Sequence, residues 1–194
     1  MANQSENSDA RTRRSRAAIV DSGITLLLQN PGASMSEIAL AAGVGRATLY
    51  RHFETKEALV QEISMLCLQE TEQVLGQLEM PESAIEQIKL CIVHLIPMAN
   101  RYSFLLSLWS EASGNAQLNS TYVDQLNQLA NMIEQAKREG DINSEVDTRW
   151  IVAHFDALLN NAWWFRSENK MSDEEVAHLM TSTFLSGVGS TQTD

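Results

Sequence analysis

Apolar positions along this chain recur at three- and four-residue spacing in nearly every segment, and no stretch keeps the alternation of two that a strand needs. The pattern predicts an all-α protein of about nine helices. Its first stripe, Ala17, Val20, Ile24, Leu27 and Leu28, is stopped by Asn30-Pro31-Gly32. Ser34 with Glu37 three residues on is a capping box, in which hydroxyl and carboxylate satisfy each other's orphan amides. A helix is expected to start there, with Ile38, Ala41 and Ala42 as its apolar face and Gly43 at the sharp turn that ends it. Leu49 and Phe53, four apart, point the next short helix into a core. Thr55 is placed to cap a longer one, carried by Leu59, Ile63, Leu66 and Cys67 to about Leu78. Beyond Pro81 the spacing predicts helices over 82–96, 101–111 and 117–138, the last ended by Gly140. Asp147 precedes a long apolar helix over 148–166, and Ser172 with Glu175 opens the final one with a second capping box. Pro97 removes an interior hydrogen bond and is expected to make a joint.

Residues 34–56 therefore read as two short helices hinged at a glycine. With Leu49 and Phe53 inward, Ala47 and Arg51 project from the opposite side, and that outward face is cationic and polar. Ala47 would let the helix approach a groove closely, Arg51 can pair with a guanine edge, and Thr48 and Tyr50 offer hydroxyls. The expected roles put Arg51 and Thr48 at base edges, and Ser34, Ser36, Tyr50, His52 and Lys56 mainly on phosphates. Arg46 completes the cationic face. Lys56, in the first turn of the longer helix, joins its ammonium to exposed backbone amides, a combination suited to a phosphate. A DNA-reading helix-turn-helix is the expected function of this segment.

A net charge of −11 looks unsuited to DNA, but its distribution is uneven. Residues 11–60 carry +3 and residues 61–194 carry −12. Attraction to phosphate is set locally, within a Debye length of about 8 Å at physiological salt. Arg11, Arg13, Arg14 and Arg16 crowd the start of the first helix, where cations oppose the helix dipole; a phosphate partner would offset that conflict. Residues 1–10 are polar enough to be expected as a disordered arm, giving a division into an arm over 1–10, a DNA-binding domain over 11–60 and a second helical domain over 61–194.

Gly43-Val44, Thr48-Leu49-Tyr50, His52-Phe53 and Lys56-Glu57 with Leu59 resemble the DNA-binding domain of the tetracycline-repressor (TetR) family of transcriptional regulators. The resemblance covers about residues 11–63, including Ile19 and Ser36-Glu37-Ile38-Ala39; downstream only length and helical content agree. It implies that the first three helices bind operator DNA, and that the later helices bind a small-molecule effector and form a homodimer. Gly45 departs from the pattern, since relatives often carry a polar side chain there.

In the second domain, all four tryptophans and most of the methionines gather after Leu75, residues suited to an apolar cavity with few polar handles. His94, Tyr102, Trp109, Tyr122, Asn161 and Trp164 are the effector candidates. The helix over 148–166 is apolar on two sides, Ile151, Phe155, Leu158 and Ala162 on one and Val152, Leu159 and Trp163 on another, which implies a second partner. Phe155, Leu159, Trp163, Val176, Met180 and Phe184 are therefore expected at a twofold dimer interface, with Phe184 and Trp163 as anchors.

No catalytic constellation, phosphate loop or metal cluster is recognisable, so no enzyme activity, cofactor or metal site is expected. Glu175 and His178 have the Glu-x-x-His spacing of di-iron bundles, but a second copy is missing. Cys67 and Cys91 sit in apolar stretches and read as buried free thiols. No signal peptide is recognised and no uninterrupted apolar run nears the roughly 20 residues of a membrane span, so a cytoplasmic, membrane-free protein is expected. The expected function is a ligand-responsive repressor that binds a palindromic operator as a dimer and is released by a small apolar or amphipathic effector. Two alternatives stay open: a helical binding module that does not engage DNA, and a helical enzyme.

Overall fold

Every long segment of the computed structural model, which describes residues 2–112 and 114–189, is helical. The helices are α1 (Ala2–Gln29), α2 (Met35–Ala41), α3 (Arg46–His52), α4 (Lys56–Gly76), α5 (Ala84–Leu95), α6 (Ala99–Ser107), α7 (Trp109–Ala112), α8 (Ala116–Glu139), α9 (Thr148–Asn169) and α10 (Asp173–Val188), with a 3-10 turn over Ile96–Met98. Among the described residues the one extended pairing is an isolated bridge between Ile142 and Gly189.

Contacts divide the chain into two units. The first takes residues up to Leu66 together with Phe104–Asn115; the second takes Cys67–Ser103 and the chain from Ala116 on. These borders differ from the expected break at residue 60. The spacing along α4 carries no boundary, because its apolar stripe is continuous from one unit into the next. Ahead of its arginines, α1 runs back to Ala2. That stretch is polar but holds neither glycine nor proline, so nothing in it interrupts the helical backbone.

In the first unit α1 buries Ile19, Val20, Ile24 and Leu27. Ala17, assigned to this stripe from spacing, is exposed, and Ile19 takes the buried position instead. Met35, Ile38 and Ala39 of α2, Leu49 of α3, Phe53, and Leu59, Val60 and Ile63 of α4 complete that core. Leu49 is fully buried, so its removal should cost about 2–5 kcal/mol.

In the second unit α5, α8, α9 and α10 pack as a bundle around Ile88, Ile92, Ile133, Ile151, Leu159 and Phe184. Asp147 caps α9 by accepting from the Arg149 amide at 2.8 Å, and Ser172 and Glu175 form the expected capping box on α10. The end of α9 lies beyond the expected residue 166, at Asn169, with Lys170 in the left-handed conformation (φ 52°). By length and mean hydropathy (1.2) the stretch Ala84–Ser107 is apolar enough to cross a membrane. Here Pro97 breaks it with the 3-10 turn, and Ile88, Ile92 and Ile96 are buried in the core. Cys67 and Cys91 are buried free thiols, as expected; burial pushes their pKa up, to about 12 and about 11.

Candidate nucleic-acid interface and ligand cavity

The turn between α2 and α3 is built by the residues that announce it. Ser34 accepts from the Glu37 amide, while the Glu37 carboxylate takes the Ser34 amide at 2.8 Å, which holds Glu37 below the usual carboxylate range. At the other end of α2, Gly43 adopts φ +65°, its amide donates to Leu40 and the Val44 amide donates to Ala39. That is a Schellman motif, which suits glycine because a side chain there would be strained. The chain then enters α3 with Gly45 at its N-cap.

With Leu49 buried and Phe53 nearly so, α3 turns Arg46, Ala47, Tyr50 and Arg51 to solvent, and Thr48 is half-exposed. Thr48 and Arg51 share an open polar concavity with Arg11, Thr12 and Ser15 of α1. Arg11, from the arginine-rich stretch of α1, thus shares one face with the recognition helix. Arg16 departs from its neighbours. Its guanidinium lies over the Phe53 ring, 5.9 Å from the centroid, and bonds Glu62.

Three of the expected phosphate contacts are already engaged within the protein. The Ser34 hydroxyl is taken by its capping box, and Ser36 accepts from the Arg46 guanidinium, with Nε at 2.7 Å. Lys56 Nζ donates to the Pro31 carbonyl, tying α4 to the turn that ends α1. His52 is the clearest departure from expectation. Its Nε2 is buried without a hydrogen bond, and burial first, then the charges of Arg51 and Arg16, hold its pKa below the ordinary imidazole value. A neutral, inward ring is poorly suited to a phosphate.

In the second unit a cavity of about 470 Å³ opens among α4, α5, α6, α8 and α9, within the usual range for small-molecule sites. Its walls are mostly apolar, including Leu75, Leu95, Leu129, Met132 and Phe155. Tyr102 and Tyr122 are the two effector candidates that reach it. The other four do not. His94 bonds the Leu90 carbonyl one turn back through Nδ1, and Trp109 belongs to the first unit. Asn161 lies in a shallow groove between α9 and α10, and Trp164 is 53% exposed, edge-on to Phe165. Composition located the region but not the direction in which each side chain points.

Asp156 is the cavity residue that spacing did not single out. It projects from α9 and accepts the Tyr122 hydroxyl at 2.9 Å. Burial raises the Asp156 pKa, partly offset by that hydrogen bond. Burial first, and the nearby Asp156 charge second, push the Tyr102 and Tyr122 hydroxyls well above their ordinary value, so both remain protonated donors. The signal was present in the sequence, since Asp156 is the one acid between Asp147 and Glu168.

The residues expected at a dimer interface are mostly interior. Phe155, Leu159, Val176, Met180 and Phe184 are each at most 4% exposed, and Trp163 is half-buried. The two apolar sides of α9 are covered by α8 and α10 of the same chain. Trp150, Trp164 and Phe165 on α9 and Leu179 on α10 are the large apolar residues of these two helices left exposed. The Glu175–His178 pair is likewise explained locally, because the Glu175 carboxylate is held by Ser172. Among the described residues no group of His, Cys, Asp and Glu is arranged to hold a metal.

Residues 29–63 match the family of bacterial regulatory proteins described as the tetR family. The crystal structure of apo AibR superposes on this chain with a TM-score of 0.72, covering 88% of it and 97% of AibR at 24% identity. The chain thus carries a tetR-type domain and shares the fold of AibR. A stretch of 64 residues, a third of each chain, is 38% identical to the transcriptional repressor LfrR of Mycolicibacterium smegmatis. The transcriptional regulator UidR of Escherichia coli is 22% identical over 153 residues, 74% of this chain and 76% of UidR. AibR has been crystallised with isovaleryl coenzyme A and operator DNA, and LfrR with proflavine.

Proposed function

We propose that this protein is a cytoplasmic, ligand-responsive transcriptional regulator, a repressor that binds a palindromic operator as a homodimer and releases it when a small effector enters the second unit. The observation that carries the DNA part is the exposure of Ala47, Tyr50 and Arg51 on a helix whose Leu49 is buried. Arg51 and Thr48 read base edges. Tyr50, Lys56, the Arg46–Ser36 pair and Arg11 of α1 hold phosphates, while Ser34 caps α2 and His52 turns inward. The mostly apolar cavity with its Tyr102, Tyr122 and Asp156 cluster supports an effector site. AibR, crystallised with both a coenzyme A thioester and operator DNA, and LfrR, with proflavine, favour the same reading.

The dimer uses the outward faces of α9 and α10, with Phe165 and Leu179 in place of the buried Phe155 and Phe184. No enzyme activity belongs to this reading. Selection of fragments bound from a random duplex pool tests it. Enrichment of an inverted repeat supports the proposal, and a pool that stays random after repeated rounds overturns it.

A further inference from the structure

The cavity is one-signed in its ionisable lining. Two carboxylates line it, Asp156 at depth and Glu72, an exposed residue of α4, and no lysine, arginine or histidine does so among the described residues. A phosphorylated or carboxylate ligand would meet no compensating cation there. Such burial of an unpaired anion is strongly unfavourable.

Asp156 itself stands in an unbalanced setting. The Tyr122 hydroxyl bonds one carboxylate oxygen, and among the described residues no lysine, arginine or histidine shares the cavity wall with it. Around it are the aromatic rings of Tyr102, Tyr122 and Phe155, with Met132 and Leu129 nearby. Aromatic faces attract cations, and more so when water is excluded. A positive charge placed beside Asp156 would therefore gain a charge-assisted contact and a π-face together.

We infer that the effector of this cavity is a lipophilic cation, an aromatic or bulky amine or quaternary ammonium whose charge pairs with Asp156 and whose apolar body fills the space among Tyr102, Phe155, Leu129 and Met132. The inference rests on reading the cavity as the effector site. It separates this chain from AibR, whose crystallised ligand is a polyanionic thioester, despite their common fold. Glu72 adds a second attraction for a cation.

The test uses three probes of one shape and different charge: N-methylacridinium, acridine held neutral at pH 8, and acridine-9-carboxylate. Each is titrated calorimetrically into the full chain without DNA, because planar cations also bind duplexes. N-methylacridinium should bind at least tenfold more tightly than acridine, and the carboxylate most weakly. Asp156→Asn keeps an acceptor for the Tyr122 hydroxyl and should erase the cation's advantage while leaving acridine affinity nearly unchanged. Met132→Trp, which fills the cavity, should abolish binding of all three.

Acridine binding as tightly as the cation, the carboxylate binding best, or failure of all three probes on the wild type would overturn the inference, with no variant required. Cation binding that survives Met132→Trp would overturn it too, by placing the ligand elsewhere. None of these results touches DNA reading, which fragment selection judges separately.

Discussion

Phe184 decides whether the last two helices face a partner or their own core. It is fully buried, edge-on to Phe155 with ring centroids 5.6 Å apart, and stacked near His154 at 6.2 Å. Phe184→Ala removes a whole aromatic side chain from a packed interior, a change that costs about 3–5 kcal/mol. A typical domain has only about 5–15 kcal/mol to lose. Leu179, on the same helix, is 44% exposed, and a surface substitution such as Leu179→Glu should stay within about 0.5 kcal/mol for the protomer itself.

The two changes should therefore separate. Urea unfolding followed by circular dichroism, at one fixed protomer concentration because association adds to apparent stability, should show a large loss for Phe184→Ala. Sedimentation velocity at micromolar concentration should show a folded monomer for Leu179→Glu and a dimer for the wild type. A Phe184→Ala protein that is monomeric yet loses less than about 1 kcal/mol would refute the burial argument and return Phe184 to the interface.

Other perturbations probe the remaining parts. Arg51→Ala should relax base preference at one position per half-site at a cost of about 1–3 kcal/mol, read by titrating operator variants; unchanged preference would remove Arg51 from the groove. Lys56→Ala should weaken binding to all sequences and lower the salt slope by about 1, and an unaltered slope would leave its ammonium serving the Pro31 carbonyl alone. Gly43→Ala should cost about 1–2 kcal/mol through its positive φ, since nothing lies within 4 Å of the added methyl; a neutral result in thermal melts would contradict the turn geometry. Asp156 keeps its proton to higher pH when folded than when unfolded, so its burial lowers stability above the unfolded pKa, and this penalty fades as the pH falls. Asp156→Asn should accordingly raise the melting temperature at pH 7.5 and lose that advantage toward pH 4.

What could be read from the sequence was local. Ser34 with Glu37, Gly43, Ser172 with Glu175 and Gly140 each act on backbone groups within a few residues, so their spacing contains the whole interaction. The long-range assignments fared differently. An all-round apolar helix such as α9 has to be covered, but its sequence does not say whether α8, α10 or a second copy covers it. Spacing therefore sent Leu159 and Phe184 to an interface that the fold had already filled.

The site residues show the same division. Arg51 and Ala47 were readable because Leu49 and Phe53 fix the orientation of α3 within one turn. Trp109 and Trp164 were chosen by residue type, and type carries no direction. Asp156 was legible as the one acid between Asp147 and Glu168, but its meaning required Tyr122, which lies 34 residues away in sequence.

Hydroxyl-radical footprinting of a fragment recovered by selection shows how the protein sits on its operator. Two protected patches are expected, related by twofold symmetry and centred about 34 Å apart on one face of the duplex, or at a multiple of that spacing. Arg51→Ala should weaken both patches equally. A single asymmetric patch, or protection unchanged in strength by loss of Arg51, would contradict a dimeric protein reading the major groove through α3.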